Sequence, residues 1–147
     1  MIEIRSAEPA DLATAIAWLD AAGLPSSDLS DVHLDSFLFA YRGAEPVGMI
    51  GVEKYTDCGL LRSLFVAESS RTLGLGAQLV SELEKRTTAA GLQSLWLLTI
   101  DADPFFARQG YAIMQRVDAP ESVRQSAEFS TLCPGDAVLM RKVLVES

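Results

Sequence analysis

Residues that build metal centres and disulfide frameworks are scarce in this sequence. It contains one histidine and two cysteines. Cys58 and Cys133 lie far apart in the chain without a CxxC spacing, which leaves no recognisable zinc motif. We therefore expect no metal site, and we expect both thiols to be reduced and structural.

Positive charge and long apolar runs are also scarce. The chain has 12 basic and 20 acidic residues, a formal net charge of −8 that repels nucleic-acid phosphates and anionic membranes. No apolar run approaches the roughly 20 residues that span a bilayer, and the N-terminus lacks the apolar core of a signal peptide. We expect a cytoplasmic protein with a small-molecule partner and no nucleic-acid or membrane partner.

The sequence does contain the hydrophobic patterning of one mixed α/β (α+β) domain over residues 1–147. Strands are predicted over residues 2–5, 37–41, 47–55, 60–67, 94–100, 111–117 and 137–143. Helices are predicted from Pro9 to before Gly23, from after Gly76 to Ala90, from Asp103 to before Gly110, and over 121–127, with a polar, turn-like segment over 26–34. This order predicts a mixed, mostly antiparallel sheet flanked by helices.

The segment with the clearest chemical signal is residues 71–76, between a predicted strand and an amphipathic helix. Unpaired backbone N–H groups at a helix start bind phosphate oxygens, and glycine removes the side chain that would block them. Arg71 adds a positive charge. On the motif alone, Gly74 and Gly76 equally favour close packing of the helix on the sheet. The segment is neither a Walker A loop nor the dinucleotide fingerprint.

Residues 71–76 resemble the Q/R-x-x-G-x-G/A acetyl-CoA loop of the GNAT superfamily of N-acetyltransferases, and the order of strands matches that fold along nearly the whole chain. The pair Gly110-Tyr111 after a short helix is a second point of similarity. The segments LLRSLFV, LLTIDADPFFARQGY and EFSTLCPGDAVLMRKVL are similar to N-acetyltransferases associated with arsenic-resistance gene clusters. The LLT…FFxRxGY portion is also similar to amino-acid N-acetyltransferases.

The resemblance implies acetyl-CoA as cosubstrate, no metal, and a monomer or homodimer that acetylates a small-molecule amine by direct attack in a ternary complex. By that resemblance the backbone of Leu64, Phe65 and Val66 pairs with the pantetheine arm. An N–H near Leu64 then stabilises the oxyanion. The pyrophosphate is held by Arg71, Thr72, Leu73, Gly74, Leu75 and Gly76.

Two positions depart from the family pattern. Phe106 stands where many members carry a tyrosine that protonates the departing sulfur, and a phenyl ring has no proton to donate. Arg62 stands where a carboxylate often acts as general base, so we predict that Glu53 on the preceding strand takes that role. Arg62 is then predicted to bind a carboxylate on the acceptor, or alternatively to form a salt bridge with Glu53 or Asp57.

Other candidates lie on segments that line the acceptor side in similar enzymes. Thr99 and Cys133 are predicted to contact the acceptor, with Ser130 beside them, whereas His33 is favoured as a surface residue and Tyr111 as a core residue. The predicted function is a small-molecule N-acetyltransferase for an amino-acid-like or arsenic-related amine. The alternatives are a catalytically weakened acyl-CoA-binding module and an acetyltransferase of protein amines.

Overall fold

The computed structural model describes residues 2–23, 36–68, 70, 74–126, 129 and 137–145. Within these ranges the strands are β1 (Ile2–Ser6), β2 (Phe37–Arg42), β3 (Glu45–Lys54), β4 (Cys58–Val66), β5 (Ser94–Thr99), β6 (Ala112–Met114) and β7 (Val138–Val143). The helices are α1 (Leu12–Ala22), α2 (Leu75–Ala89), α3 (Asp103–Arg108) and α4 (Glu121–Arg124). Single 3-10 turns precede α1 at Pro9–Asp11 and α4 at Arg116–Asp118.

The strands form one sheet in the order β1-β2-β3-β4-β5-β7-β6. Neighbouring strands are antiparallel except β4 and β5, which are parallel. The predicted mixed, mostly antiparallel sheet is therefore confirmed. The parallel pair arises because the chain crosses over through α2 between these two strands, as parallel neighbours require.

One face of the sheet is covered by α2. Its apolar stripe, Leu75, Leu79 and Leu83, is buried against the strands. Gly48 on β3 permits this approach, because a Cβ atom there would lie 3.1 Å from a methyl carbon of Leu79. The packing places the N-terminus of α2 beside the end of β4.

The opposite face carries two separate apolar clusters. In one, Ala15 and Leu19 of α1 pack against Phe39 and Met49 on β2 and β3. The members of the other are Cys58, Leu60, Trp96, Ala119, Val123 and Leu139, which join β4, β5 and β7 to α4 and the turn before it. Glu53 and Arg62 share this face with Leu60. Arg62 is two residues from Leu60 on β4, so the two side chains point the same way, and Glu53 pairs with Leu60 across the ladder.

Several predicted elements differ from the structure. α2 begins at Leu75, before the start predicted after Gly76. The strand predicted over 111–117 is limited to β6, because the side chains of Gln115 and Asp118 cap a 3-10 turn at Arg116–Asp118. The helix predicted over 121–127 is the single turn α4. The hairpin after β2 is tighter than predicted: Gly43 adopts φ 62° and β3 begins at Glu45. The turn-like segment 26–34 lies outside the described residues.

Candidate active site

β4 carries a bulge at its centre. Met49 pairs with Phe65 and Gly51 pairs with Arg62, so one more residue lies between the pairs on β4 than on β3. Ser63 accommodates it with φ 62°, a left-handed conformation that is unusual for a non-glycine residue. A bulge leaves a residue without a ladder partner. Leu64, the predicted oxyanion donor, directly follows this irregularity.

β4 and β5 separate along their length. Their parallel ladder contains only the pairs Cys58–Ser94, Gly59–Leu95 and Leu60–Trp96. Among the strands of the described residues, β4 pairs with β3 beyond this ladder, and β5 pairs with β7. The predicted pantetheine-binding residues Leu64, Phe65 and Val66 lie on β4 past this separation, and all three are half-buried. A ligand that bears amide groups can pair with the backbone of a strand like an added strand, so the separation of β4 and β5 suits such a ligand.

The N-terminus of α2 opens beside the same end of β4. Gly74 is the N-cap with φ 71°, and a Cβ atom there would meet nothing within 4 Å. The first intrahelical bond runs from the N–H of Gln78 to the carbonyl of Gly74, so the preceding helical N–H groups face outward from the helix end. Leu75 is buried in the core beneath this turn. An accessible helix start with a free glycine position fits a pyrophosphate.

Phe105 of α3 closes one side of this opening. Its ring lies 3.4 Å from the position that a Cβ atom at Gly76 would occupy, and Val66 is 3.9 Å from the same position. The ring thus connects the segment after β5 to the first turn of α2 and the end of β4. Gly76 therefore also serves close packing, one of the two interpretations that the sequence left open.

Glu53 is fixed by two donors. Nη1 of Arg62 donates to Oε2 of Glu53 at 2.8 Å, and the hydroxyl of Tyr55 donates to Oε1 at 2.7 Å. The Glu53 side chain is 20% exposed whereas that of Arg62 is 1% exposed. Nε of Arg62 also donates to Oγ of Ser63 at 3.0 Å, which ties the pair to the bulge. The salt bridge to Glu53 that the sequence analysis gave as an alternative is present.

Tyr55 is neutral at ordinary pH. Burial raises the pKa of Tyr55 well above its usual value, and the hydrogen bond to Glu53 and the charge of Glu53 act in the same direction. The phenol therefore remains a donor to the carboxylate. Tyr55 directly follows β3 and is two residues from Glu53, the spacing at which side chains of an extended chain point the same way.

Of the remaining residues predicted or considered for the site, some are described by the structure and others are not. Thr99 ends β5 and is half-buried, and its hydroxyl accepts a hydrogen bond from the N–H of Ala102 at 3.0 Å, just before α3. The other predicted or considered residues lie outside the described part of the chain: Arg71, Thr72, Leu73, Cys133, Ser130 and His33. The predictions for those residues stay predictions.

Phe106 and Tyr111 are core residues. Phe106 is buried and packs edge-on against Phe105 and Tyr111. The Tyr111 hydroxyl donates to Oε2 of Glu84 at 3.0 Å, and burial together with the charge of Glu84 raises the pKa of Tyr111 far above its usual value. This agrees with the core role that the sequence favoured for Tyr111.

The described residues contain neither a cluster of metal ligands nor a helix of membrane-spanning type. Among those residues, no three histidine, cysteine, aspartate or glutamate side chains lie close enough together to hold a metal ion. In the same part of the chain, no helix combines the length and apolar character that a membrane span needs.

The separated parallel strands and the bulge lie beside the start of α2. Comparison with known proteins identifies the family. A family model described as Acetyltransferase (GNAT) family matches residues 5–111. The uncharacterised N-acetyltransferase CT2212 of Chlorobaculum tepidum is 30% identical over 117 residues, which cover 76% of this chain and 73% of that protein. The chain belongs to the GNAT family and is an acetyl-CoA-dependent N-acetyltransferase.

Solved structures share the whole fold. N-acetylglutamate synthase from Neisseria gonorrhoeae, complexed with coenzyme A and N-acetyl-glutamate, matches with a TM-score of 0.85 and 19% identity over 99% of this chain. This chain spans only 36% of that synthase. Rv2747 from Mycobacterium tuberculosis, in complex with CoA, matches with a TM-score of 0.81 and 21% identity, covering 97% of this chain and 99% of that chain. The predicted GNAT-like fold is confirmed.

Proposed function

We propose that this enzyme acetylates the amine of a small amino-acid-like molecule by direct attack in a ternary complex. The observation that carries the proposal is the position of a fixed, partly exposed carboxylate, Glu53, one strand away from the bulge at Ser63. The synthase of the same fold binds N-acetyl-glutamate, which supports an amino-acid-like acceptor. The similarity to arsenic-resistance N-acetyltransferases adds arsenical amino-acid analogues to this acceptor class.

The separation of the strands supports the predicted cosubstrate-binding residues. Acetyl-CoA supplies an activated thioester. The backbone of Leu64, Phe65 and Val66 lies on β4 past the point where β4 and β5 separate, and it binds the pantetheine amides there. Residues 71–76 hold the pyrophosphate through the N–H groups at the start of α2. The N–H of Leu64, beside the bulge, donates to the carbonyl oxygen as negative charge develops there.

Glu53 takes the proton from the attacking amine, directly or through a water molecule. Its charged form is held by Tyr55 and Arg62, so the carboxylate keeps one orientation toward the acceptor. The amine nitrogen forms a bond to the acetyl carbon while the bond from that carbon to sulfur breaks. The electron pair leaves on sulfur, and the amine proton passes to Glu53 and then to solvent.

The leaving group departs without a tyrosine acid at position 106. Phe106 is buried and bears no proton. Thiols are much more acidic than alcohols, a cysteine thiol having a pKa of about 8.5, so coenzyme A is a tolerable leaving group as the thiolate. A missing general acid lowers the rate by about 10²–10⁴-fold without abolishing the reaction.

A thiol-release assay with a panel of amines tests the proposed function. The panel contains amino acids, their decarboxylated amines, phosphinic and arsenical amino-acid analogues, and peptides with a free N-terminus. We expect amine-dependent release of coenzyme A, corrected for hydrolysis, with the amino-acid group. Release with peptides alone would assign the enzyme to protein amines, and tight acetyl-CoA binding without release for any amine would contradict the proposal.

A further inference from the structure

A separate cavity lies at the other end of the central strands from the predicted acetyl-CoA site. β4 and β5 begin there, at Cys58 and Ser94, and β7 ends there at Val143. The cavity has a volume of about 530 Å³, within the range of small-molecule sites. Its lining residues are Asp57, Cys58, Gln93, Ser94, Trp96, Pro120, Arg141, Val143 and Val145. None of them belongs to the catalytic groups described above.

Two opposite charges line this cavity without meeting. Arg141 and Asp57 both border it, yet no ion pair within 4.0 Å joins either side chain to a charged group in the described ranges. The Arg141 guanidinium lies over the Trp96 ring, 5.6 Å from its centroid. The cavity therefore offers a ligand two groups of opposite charge: the Arg141 guanidinium, which donates hydrogen bonds, and the Asp57 carboxylate, which accepts them.

Apolar side chains also line the cavity. Trp96 is 4% exposed, and its enclosed indole N–H finds no hydrogen-bond partner in the described part of the chain. Val143 and Val145, which also line the cavity, are 46% and 45% exposed. A ligand with an apolar body would cover the two valines.

We propose that this cavity is a second, non-catalytic site that binds a free amino acid as its zwitterion. Arg141 binds the α-carboxylate, Asp57 binds the ammonium group, and the side chain of the ligand packs on Val143 and Val145 beside Trp96. The inference is independent of the acceptor chemistry, because the binding groups lie at the far ends of the strands from Leu64.

Binding here is expected to brace the junction of β4 and β5. The ladder that joins these strands has three pairs, and two of them, Cys58–Ser94 and Leu60–Trp96, involve residues that line the cavity. A ligand that binds only the folded protein stabilises it by mass action. We therefore expect the bound amino acid to raise Tm.

The two tryptophans make the test direct. Trp18 packs between Phe39 and Phe65 on the α1 side of the sheet, so its indole signal is an internal control for that of Trp96. In ¹H–¹⁵N spectra of the whole protein, assigned with Trp96→Phe, each of the 20 standard amino acids is titrated without acetyl-CoA. We expect at least one to shift the Trp96 indole signal saturably while the Trp18 signal stays in place.

Analogues and variants identify the charges that bind. The deaminated acid and the decarboxylated amine of the best ligand are each expected to bind at least about tenfold more weakly, since each loses one charge-assisted contact. Arg141→Gln and Asp57→Asn should abolish the shift. Arg124→Gln, at an exposed position of α4, should preserve it. The proposal is overturned if no amino acid moves the Trp96 signal, or if the shift survives in both cavity variants.

Discussion

Nη1 of Arg62 lies 2.8 Å from Oε2 of Glu53, across the ladder between β4 and β3. The same carboxylate accepts a hydrogen bond from Tyr55. The opposite face of the sheet repeats this arrangement, where Glu84 accepts from Tyr111 at 3.0 Å and from Nζ of Lys142 at 3.0 Å. One carboxylate lies beside the proposed reaction site and the other ties α2 to β7, so the two provide a matched pair for mutation.

The first prediction concerns proton removal by Glu53. Glu53→Gln keeps the size of the side chain and removes its basicity, so kcat at neutral pH should fall by about 10²-fold or more. Activity should recover as pH rises and more of the acceptor is present as free amine. Steady-state kinetics across a pH series measures both effects.

Glu84→Gln is the control for that prediction. It breaks an equivalent arrangement with a tyrosine and a cation, so it should cost stability without changing the shape of the pH profile. Equal pH profiles for the Glu53 and Glu84 variants would assign Glu53 to structure.

The second prediction separates two roles for Arg62. Its side chain is 1% exposed and binds both Glu53 and Ser63, so Arg62→Lys should lower the free energy of unfolding by about 1.5–3 kcal/mol through loss of a charged hydrogen bond. We expect kcat/KM to fall by the same factor for an amino acid and for its decarboxylated amine, with acetyl-CoA affinity unchanged. A loss confined to the amino acid would instead assign Arg62 to recognition of the acceptor carboxylate.

Local sequence signals predicted much of this fold. Gly23 ends α1 with φ 71°, as a helix-terminating glycine should, whereas α2 begins at Leu75 with Gly74 as its N-cap and not after Gly76 as predicted. The 3-10 turn at Arg116–Asp118 was missed because its capping side chains, Gln115 and Asp118, look like ordinary polar residues of a strand.

The site was less predictable because it depends on long-range register. The bulge at Ser63 exists only because β3 and β4 pair with unequal spacing, and no serine pattern encodes a positive φ. The partner of Arg62 was predicted only as one of two acids, since the choice depends on the register of the strands: Glu53 lies within the β3–β4 ladder, whereas Asp57 lies in the turn between the two strands. The packing of Phe105 beside Gly76 joins elements distant in sequence and carries no local signal.

The third prediction tests the acetyl-CoA loop. Gly74→Val places a branched side chain in the open space where the pyrophosphate is proposed to lie. Gly23→Val is a matched control, because Gly23 at the end of α1 has the same φ of 71° and, like Gly74, has no atom of the described residues within 4 Å of an added Cβ beyond its chain neighbours. Both variants should lose about 1–2 kcal/mol from left-handed strain. Only Gly74→Val should weaken acetyl-CoA in titration calorimetry, and equal affinities in the two variants would refute the loop assignment.

The last prediction concerns alkaline pH and the three tyrosines of the chain. Burial raises the pKa of Tyr41, Tyr55 and Tyr111, and each hydroxyl donates to a carboxylate, Asp11, Glu53 and Glu84 respectively, whose charge raises the pKa further. Unfolded tyrosine ionises near pH 10. Above about that pH the unfolded chain therefore binds fewer protons than the folded chain, so stability should be retained below it and lost as pH rises further.

Absorbance of tyrosinate and circular dichroism, followed together, check this prediction. We expect little tyrosinate signal while the protein stays folded, and then a rise in that signal that coincides with unfolding. Tyr111→Phe removes one raised group and a hydrogen bond worth about 1 kcal/mol, so this variant should be less stable at neutral pH. Its stability should fall less steeply with pH than that of the unmodified protein, so the two curves should converge in alkali. Full tyrosine ionisation near pH 10 in a folded protein would contradict the raised pKa values, because it would show that the three hydroxyls are open to water.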